Sequence, residues 1–206
     1  MVDTTISIGF IGRFKPLHNG GATFLEEACK KYDSVVIGIG SSNKYNIRNP
    51  FTAPESKDMI DCFLRDKFSN YRVEFIPDFA QIPEFANGEK WRDYAFERFG
   101  SLNLFASSND FVRNLMKDKY ELIFPHDIIP EEKRVKVKSS DVRIEMARFG
   151  EWEKLVPEKV VEYLETKKLV DRFRNQFGLQ TLALLENENY LVENVESEKL
   201  HSQEAI

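Results

Sequence analysis

An arginine, a lysine, a histidine and several glycines crowd one short stretch near the start of the chain, Gly12-Arg13-Phe14-Lys15-Pro16-Leu17-His18-Asn19-Gly20-Gly21. An apolar, β-branched run (residues 5–11) precedes it. A segment with Leu25, Ala28, Cys29 and Tyr32 at helical spacing (18–32) follows it. The pattern places His18, Asn19 and Gly20 at the N-terminus of a helix, where free backbone N–H groups and the helix dipole attract anions. Gly20 would let a phosphate approach the backbone closely, and Arg13 and Lys15 add positive charge beside it. The stretch lacks the G-x-x-x-x-G-K-[ST] loop, and residues 38–43 (GIGSSN) hold only two of the three glycines of the dinucleotide fingerprint. Residue types alone therefore leave two readings open: a nucleotide triphosphate site, or a polar loop with a solvated histidine.

The elements that must position these residues alternate. Apolar runs at 5–11, 34–40, 71–76, 102–106 and 120–124 read as strands. Between them, 18–32, 55–68, 88–99 and 109–118 read as helices, with Met59, Ile60, Phe63 and Leu64 on one face of the second. Strands alternating with helices imply βαβ units and an α/β fold. The expected architecture is Rossmann-like and doubly wound, a mostly parallel sheet with helices on both faces and ligands at the carboxyl ends of the strands. Residues 140–175 read as helical, with Pro157 as a helix first residue and Gly178 as a stop. The expected division is a domain over 1–165 and a C-terminal helical extension with an acidic tail over 166–206. The stretch LQTLALLENENYLVENV, with Leu182, Leu184, Leu185 and Leu191, is expected to pack on the domain.

The 206 residues carry 29 Lys+Arg against 34 Asp+Glu, a formal net charge of −5. Residues 186–204 alone hold six glutamates against Lys199, which accounts for the whole excess, so the rest of the chain is about neutral. This balance argues against a polyanion spread over the surface, and no nucleic-acid partner is expected. It does not argue against a small anion held by a few converging cations. No apolar run approaches the roughly 20 residues that span a bilayer, and the first residues do not read as a secretory signal. No membrane partner is expected, and Cys29 and Cys62 read as reduced thiols of a cytoplasmic protein. The chain is long enough to bury a core without metal or disulfide staples. No His/Cys/Asp cluster has metal-ligand spacing, so no protein-held metal is expected.

GRFKPLHNGG resembles the GRFxPxHxGH signature of nucleotidyltransferases, and more narrowly that of the archaeal-type nicotinamide-nucleotide adenylyltransferase family. Three further segments carry the resemblance. VVIGIGSSNKYNIRNPFTAPES (35–56) is similar to the family's second strand and RNPFTxxE loop. Trp91, after IPDF (76–79), is placed like a tryptophan that stacks on the nicotinamide ring. VKSSDVRIEMARFGEWEKLVP (137–157) is similar to the ISGTxIR motif and the E-W-x-x-L-V-P helix after it. Four ordered motifs cover roughly residues 5–165 and leave the tail unmatched.

The resemblance implies adenylyl transfer from ATP to nicotinamide mononucleotide, giving NAD and pyrophosphate. Mg²⁺ would be held mainly by phosphate oxygens and water. Such chemistry needs cations and N–H donors rather than a nucleophile. Arg13 would bind ATP phosphates, His18 would donate to the β- or γ-phosphate, and Arg48 would reach another phosphate oxygen. Arg143 would clamp the triphosphate, since a guanidinium grips phosphate bidentately. Ser139 and Ser140 would cap the helix carrying Arg143 and donate to phosphate. Gly20 and Phe14 belong to the same phosphate-binding loop, although Phe14, like Phe51, reads as a packing residue rather than a ligand contact. Trp91 and Asn49 would contact the mononucleotide, and Asn109 would contact adenosine or cap a helix. Lys138 stands where the family has Ser. Family relatives often form homo-oligomers.

One departure matters. The second His of HxGH, a phosphate donor at the reacting centre, is replaced by Gly21. Losing one such donor typically costs about 10²–10³ in rate. Three readings follow: a working enzyme in which Lys15, Lys138 or another cation substitutes, a slow or inactive nucleotide binder, or an engineered change. A transferase for another phosphorylated acceptor, such as a cytidylyltransferase, is the alternative in chemistry.

Overall fold

Five apolar runs become five parallel strands: β1 (Ser7–Gly12), β2 (Ser34–Gly40), β3 (Tyr71–Ile76), β4 (Leu104–Ala106) and β5 (Glu121–Ile123). The computed structural model describes residues 5–79 and 88–185. The strands stand in the order β3-β2-β1-β4-β5 with every neighbouring pair parallel, so the order reverses at β1. Ligand sites of such sheets lie at the carboxyl edge beside that reversal.

The helices are α1 (Asn19–Lys31), α2 (Ala53–Leu64), α3 (Glu89–Phe99), α4 (Asp110–Met116), α5 (Ser139–Ala147), α6 (Glu158–Thr166) and α7 (Leu169–Phe173). Period-two alternation along β2 splits the core into two layers. Val35, Ile37 and Ile39 face a large cluster with α1, α2, α5, α6 and α7, while Val36 faces a smaller one with Ala95, Phe99, Phe105 and Met116. Helices therefore cover both faces, as the doubly wound reading requires. α1 buries Ala22, Leu25, Ala28 and Cys29, one helical stripe. The Phe99 ring lies so close to β2 that a β-carbon on Gly38 would meet it at 2.7 Å. Both cysteines are free, and burial pushes their thiols up, Cys29 to about 12 and Cys62 to about 11.

Several expected boundaries move. α2 starts at Ala53 rather than residue 55, because Thr52 and Glu55 cap it reciprocally: Glu55 Oε2 accepts the Thr52 N–H at 2.8 Å. The helical expectation for 140–175 breaks into α5, a 3₁₀ turn (Trp152–Leu155), α6 and α7. Left-handed φ values at Phe149 (58°) and Lys168 (54°) mark two of the breaks. Pro157 stands just before α6, at its cap. Gly178 does not stop the helix. It lies buried in the last turn of a π-helical segment (Arg174–Gly178), and helix continues to residue 185. Packing of Leu169, Val170, Phe173, Phe177 and Leu182 against the large core outweighs the roughly 1 kcal/mol cost of an internal glycine. Leu184 is half exposed, and Leu191 with most of the acidic tail lies outside the described residues.

The residues after 165 thus share the core of those before it. Phe173 is fully buried and stacks on Phe51 with ring centroids 6.2 Å apart. Phe173→Ala is expected to destabilise the whole fold by about 3–5 kcal/mol, read by chemical denaturation. A loss under about 1 kcal/mol would mean that α7 sits outside the cooperative unit.

Candidate active site

The loop after β1 turns sharply. Phe14 takes a left-handed backbone (φ 52°) and lays its ring over Gly12, where any β-carbon would meet it at 2.7 Å. Arg13 stays exposed. Lys15 turns inward and is fully buried, its ammonium donating to the Ser41 carbonyl at 3.0 Å and to Asn49 Oδ1 at 3.3 Å. It therefore fastens the β1–α1 loop to the β2–α2 loop. With two of its donors already used, it is not the free cation that the loss of a histidine at 21 invites. Burial, and then the charge of Arg13, push its pKa down to about 8.

That shift has a testable sign. Below pH 8 both folded and unfolded chains carry the proton, and the folded state bears the full cost of a buried charge. From about 8 to 10.5 the folded chain has shed the proton and the unfolded chain has not, so stability rises with pH in this window. The thermal midpoint of the native chain relative to Lys15→Gln is expected to climb from pH 7.5 to 9.5. A flat or falling difference would contradict the buried ammonium.

His18 caps α1, its Nδ1 accepting the Gly21 N–H at 3.1 Å. In the neutral ring this leaves the proton on Nε2, which becomes a donor. Burial lowers the pKa of His18 more than Asp141 raises it, which favours that neutral donor at pH 7. No acidic residue stands in the first turn of α1, so the positive helix end is uncompensated there. Gly20 was expected to admit a phosphate, but the chain itself uses that space. The Val135 carbonyl lies 2.7 Å from where a β-carbon would be. Gly21 is roomier: its β-carbon would lie 3.3 Å from a Leu17 methyl and 3.6 Å from His18 Nε2.

α5 brings the second cation. Neither Ser139 nor Ser140 caps it, contrary to expectation. Lys138 occupies the cap position, and Asp141 Oδ2 accepts its N–H at 2.8 Å. A carboxylate three residues on can close this bond where a serine inside the helix cannot. Ser139 Oγ instead donates to the Pro16 carbonyl at 2.9 Å, and Ser140 Oγ donates to Asp141 Oδ1 at 3.4 Å. Arg143 Nη1 donates to the Lys15 carbonyl at 3.0 Å. Burial, then Arg13, push the Arg143 pKa down to about 10, so it stays charged at pH 7 while repelled by its neighbour. Among the described residues neither Arg13 nor Arg143 has an ion pair. Like charges held together, with Asp141 turned to the α5 cap rather than into a salt bridge, suit a bound anion.

The β2–α2 loop is a tight turn. Asn46 Oδ1 accepts the N–H groups of Arg48 (3.1 Å) and Asn49 (3.1 Å) and the side-chain amide of Asn49 (3.0 Å). Asn49 is buried, with both ends of its side chain used inside the protein. The exposed Arg48 side chain is carried on this turn. Sequence reading missed Asn46, although an Asn three residues before another Asn is a turn signal.

Between β1 and β4 opens a cavity of about 300 Å³, walled by Phe10, Phe14, Phe24 and Phe105 with Ser107 and Asn109 at its rim. Its apolar walls and few polar groups suit a planar base. Phe14 therefore both packs on Gly12 and lines the cavity. Asn109 caps α4, its Oδ1 accepting the Val112 N–H at 3.1 Å. The cavity escaped sequence reading because β4 pairs with β1 from 96 positions further on. Trp91 stands apart on α3, half-buried against the smaller cluster and outside the cavity lining. The structure therefore brings together Arg13, His18, Ser139 and Arg143, ties Lys15 and Asn49 beneath them, and leaves Trp91 on a neighbouring face.

Among the described residues, no group of three or more His, Cys, Asp or Glu residues is arranged to hold a metal ion, and no helix is long and apolar enough to cross a membrane. The cytidylyltransferase-like family model matches residues 9–145. Nicotinamide-nucleotide adenylyltransferase of Pyrococcus horikoshii is 31% identical over 168 residues, covering 81% of this chain and 86% of that protein. Its counterpart in Thermococcus kodakarensis is 30% identical, covering 80% and 85%. The crystal structure of a bifunctional NMN adenylyltransferase/ADP ribose pyrophosphatase from Francisella tularensis shares the fold, with a TM-score of 0.70 at 18% identity. That match covers 91% of this chain and 56% of the Francisella chain. The strand order and these relatives agree: the chain belongs to the cytidylyltransferase-like family, in its nicotinamide-nucleotide adenylyltransferase branch.

Proposed function

We propose that the protein transfers AMP from ATP to nicotinamide mononucleotide, giving NAD and pyrophosphate. The observation that carries this reading is the convergence of Arg13, His18 Nε2 and Arg143, cationic or donating and with no salt bridge among the described residues, beside a base-sized cavity at the β1–β4 reversal. An oxygen of the mononucleotide phosphate forms the new bond to the α-phosphorus as the bond to the bridging oxygen breaks. Pyrophosphate leaves with that electron pair, and no covalent enzyme intermediate is formed.

Arg143 and Arg13 stabilise charge growing on the leaving pyrophosphate, and the His18 Nε2–H donates to one of its oxygens. Ser139 is committed to the Pro16 carbonyl, so it places α5 against the loop and leaves phosphate contact to Arg143. The donor set suits phosphates rather than a metal ion. Its nearest carboxylate, Asp141, is occupied by the α5 cap. Mg²⁺ would arrive held by phosphate oxygens and water, and would supply neutralisation of the triphosphate. Trp91 would receive the mononucleotide, and Arg48 on its turn would meet the outer phosphates of ATP. Both substrates are small and soluble, which suits a cytoplasmic setting.

A panel of ATP, CTP, GTP and UTP against nicotinamide mononucleotide and small alcohol phosphates tests the substrate class. ATP with nicotinamide mononucleotide is expected to give the fastest pyrophosphate release. A preference for CTP with an alcohol phosphate would replace this reading with the cytidylyltransferase one.

A further inference from the structure

Helix α7 and the π-helical turn after it contribute no residue to the cluster of Arg13, His18 and Arg143, yet they grip two elements of the site. Arg172 reaches back 117 residues to Glu55 with two parallel bonds, Nη1 to Oε1 at 2.6 Å and Nη2 to Oε2 at 2.8 Å. Its Nη2 also donates to the Pro50 carbonyl at 3.3 Å. Burial pushes the Glu55 carboxyl up, but its bonds to Arg172 and Thr52 outweigh that and leave its pKa lowered. One residue along, Phe173 stacks on Phe51. At the other end of the same loop, Tyr45 is hydrogen-bonded to Gln176 and edge-packed on Phe177, ring centroids 5.4 Å apart. Both ends of the 45–52 turn, which carries Arg48 and Asn49, are thus held by one helical segment. That segment also donates Arg174 Nε to the Met146 carbonyl at 2.8 Å, near the end of the helix bearing Arg143. Arg143 and Ser139 bind the β1–α1 loop, and Lys15 binds the 45–52 turn, which closes the circuit.

We propose that Arg172 is a positioning residue for ATP. Its fork on Glu55 and Pro50 sets the 45–52 turn so that the exposed Arg48, carried above the buried Lys15–Asn49 contact, meets the triphosphate. The inference rests on the nucleotidyl-transfer reading for its kinetic part. A lone surface ion pair would do nothing of the kind, but this one is bidentate and partly buried, and its Nε is buried with no hydrogen-bond partner among the described residues. The fork geometry matters as much as the charge, so lysine is not an equivalent.

The test compares the full-length protein with Arg172→Lys, Arg172→Leu, Glu55→Gln and the Arg172→Leu/Glu55→Gln double variant. The KM for ATP is expected to rise about tenfold in Arg172→Leu and less in Arg172→Lys, with kcat and the mononucleotide KM nearly unchanged. The double variant should be no worse than Arg172→Leu alone, since the pair acts as a unit. Hydrogen exchange of amides 45–52 should quicken in Arg172→Leu while those of β1 and β2 keep their protection. Unchanged exchange at 45–52 would overturn the positioning role whether or not the protein turns over. Faster exchange with an unchanged ATP KM, or equal loss of kcat and both affinities, would reduce Arg172 to a stability contact. A native protein that makes no NAD, yet shows the exchange effect, would refute the reaction and leave the turn-holding role standing.

Discussion

Arg143→Ala is expected to lower kcat/KM for ATP by about 10²–10³, the usual cost of removing one donor from a charge-stabilising site. The geometry argues for the upper part of that range. One Nη is spent on the Lys15 carbonyl, which fixes the guanidinium and leaves its other N–H groups to an anion. Burial and Arg13 hold the charge uncomfortable until an anion arrives, so phosphate binding relieves a repulsion as well as making new bonds. Arg143→Lys should lose less than alanine but not recover fully, because an ammonium lacks the planar fork. Steady-state kinetics with an unfolding midpoint for each variant check this. An alanine variant within about threefold of the native rate would remove Arg143 from the reacting centre.

The second large effect is a gain. Gly21→His is expected to raise kcat by about 10²–10³, since on the proposed reading it adds a donor beside the reacting phosphates at the first turn of α1. The backbone can take the change. Gly21 has no left-handed φ, its first new atom would need only a few tenths of an ångström from a Leu17 methyl, and the new ring would lie beside His18 Nε2. Lys15 is not well placed in its stead, being locked under the loop, and Lys138 is an exposed residue whose backbone N–H closes the α5 cap. An unchanged kcat in Gly21→His would mean that position 21 does not face the reacting phosphates.

Much of this was legible because buried parallel strands read as unbroken apolar runs and α1 follows β1 through a recognisable motif. Arg13, His18 and Arg143 were found that way, and the structure brings them together. Long-range matters were not legible. Nothing near Arg172 in sequence points to Glu55, and nothing near Lys15 says that its ammonium will find the Ser41 carbonyl. The breaks at Phe149 and Lys168 were invisible because the left-handed turns there fall on residues other than glycine. Conversely Gly178, which looked like a stop, is carried through by packing on both sides of it. The serines before Arg143 resemble caps, yet a tertiary bond to Pro16 takes the hydroxyl of Ser139 and the adjacent Asp141 that of Ser140.

The central claim is adenylyl transfer at a site missing one donor. Its most direct measurement uses ATP labelled at the α-phosphorus, nicotinamide mononucleotide and Mg²⁺, with the native chain and Gly21→His run in parallel. The account predicts labelled NAD with equimolar unlabelled pyrophosphate from both, slow in the native chain and about 10²–10³ faster in the variant. Labelled NAD from neither protein would contradict it.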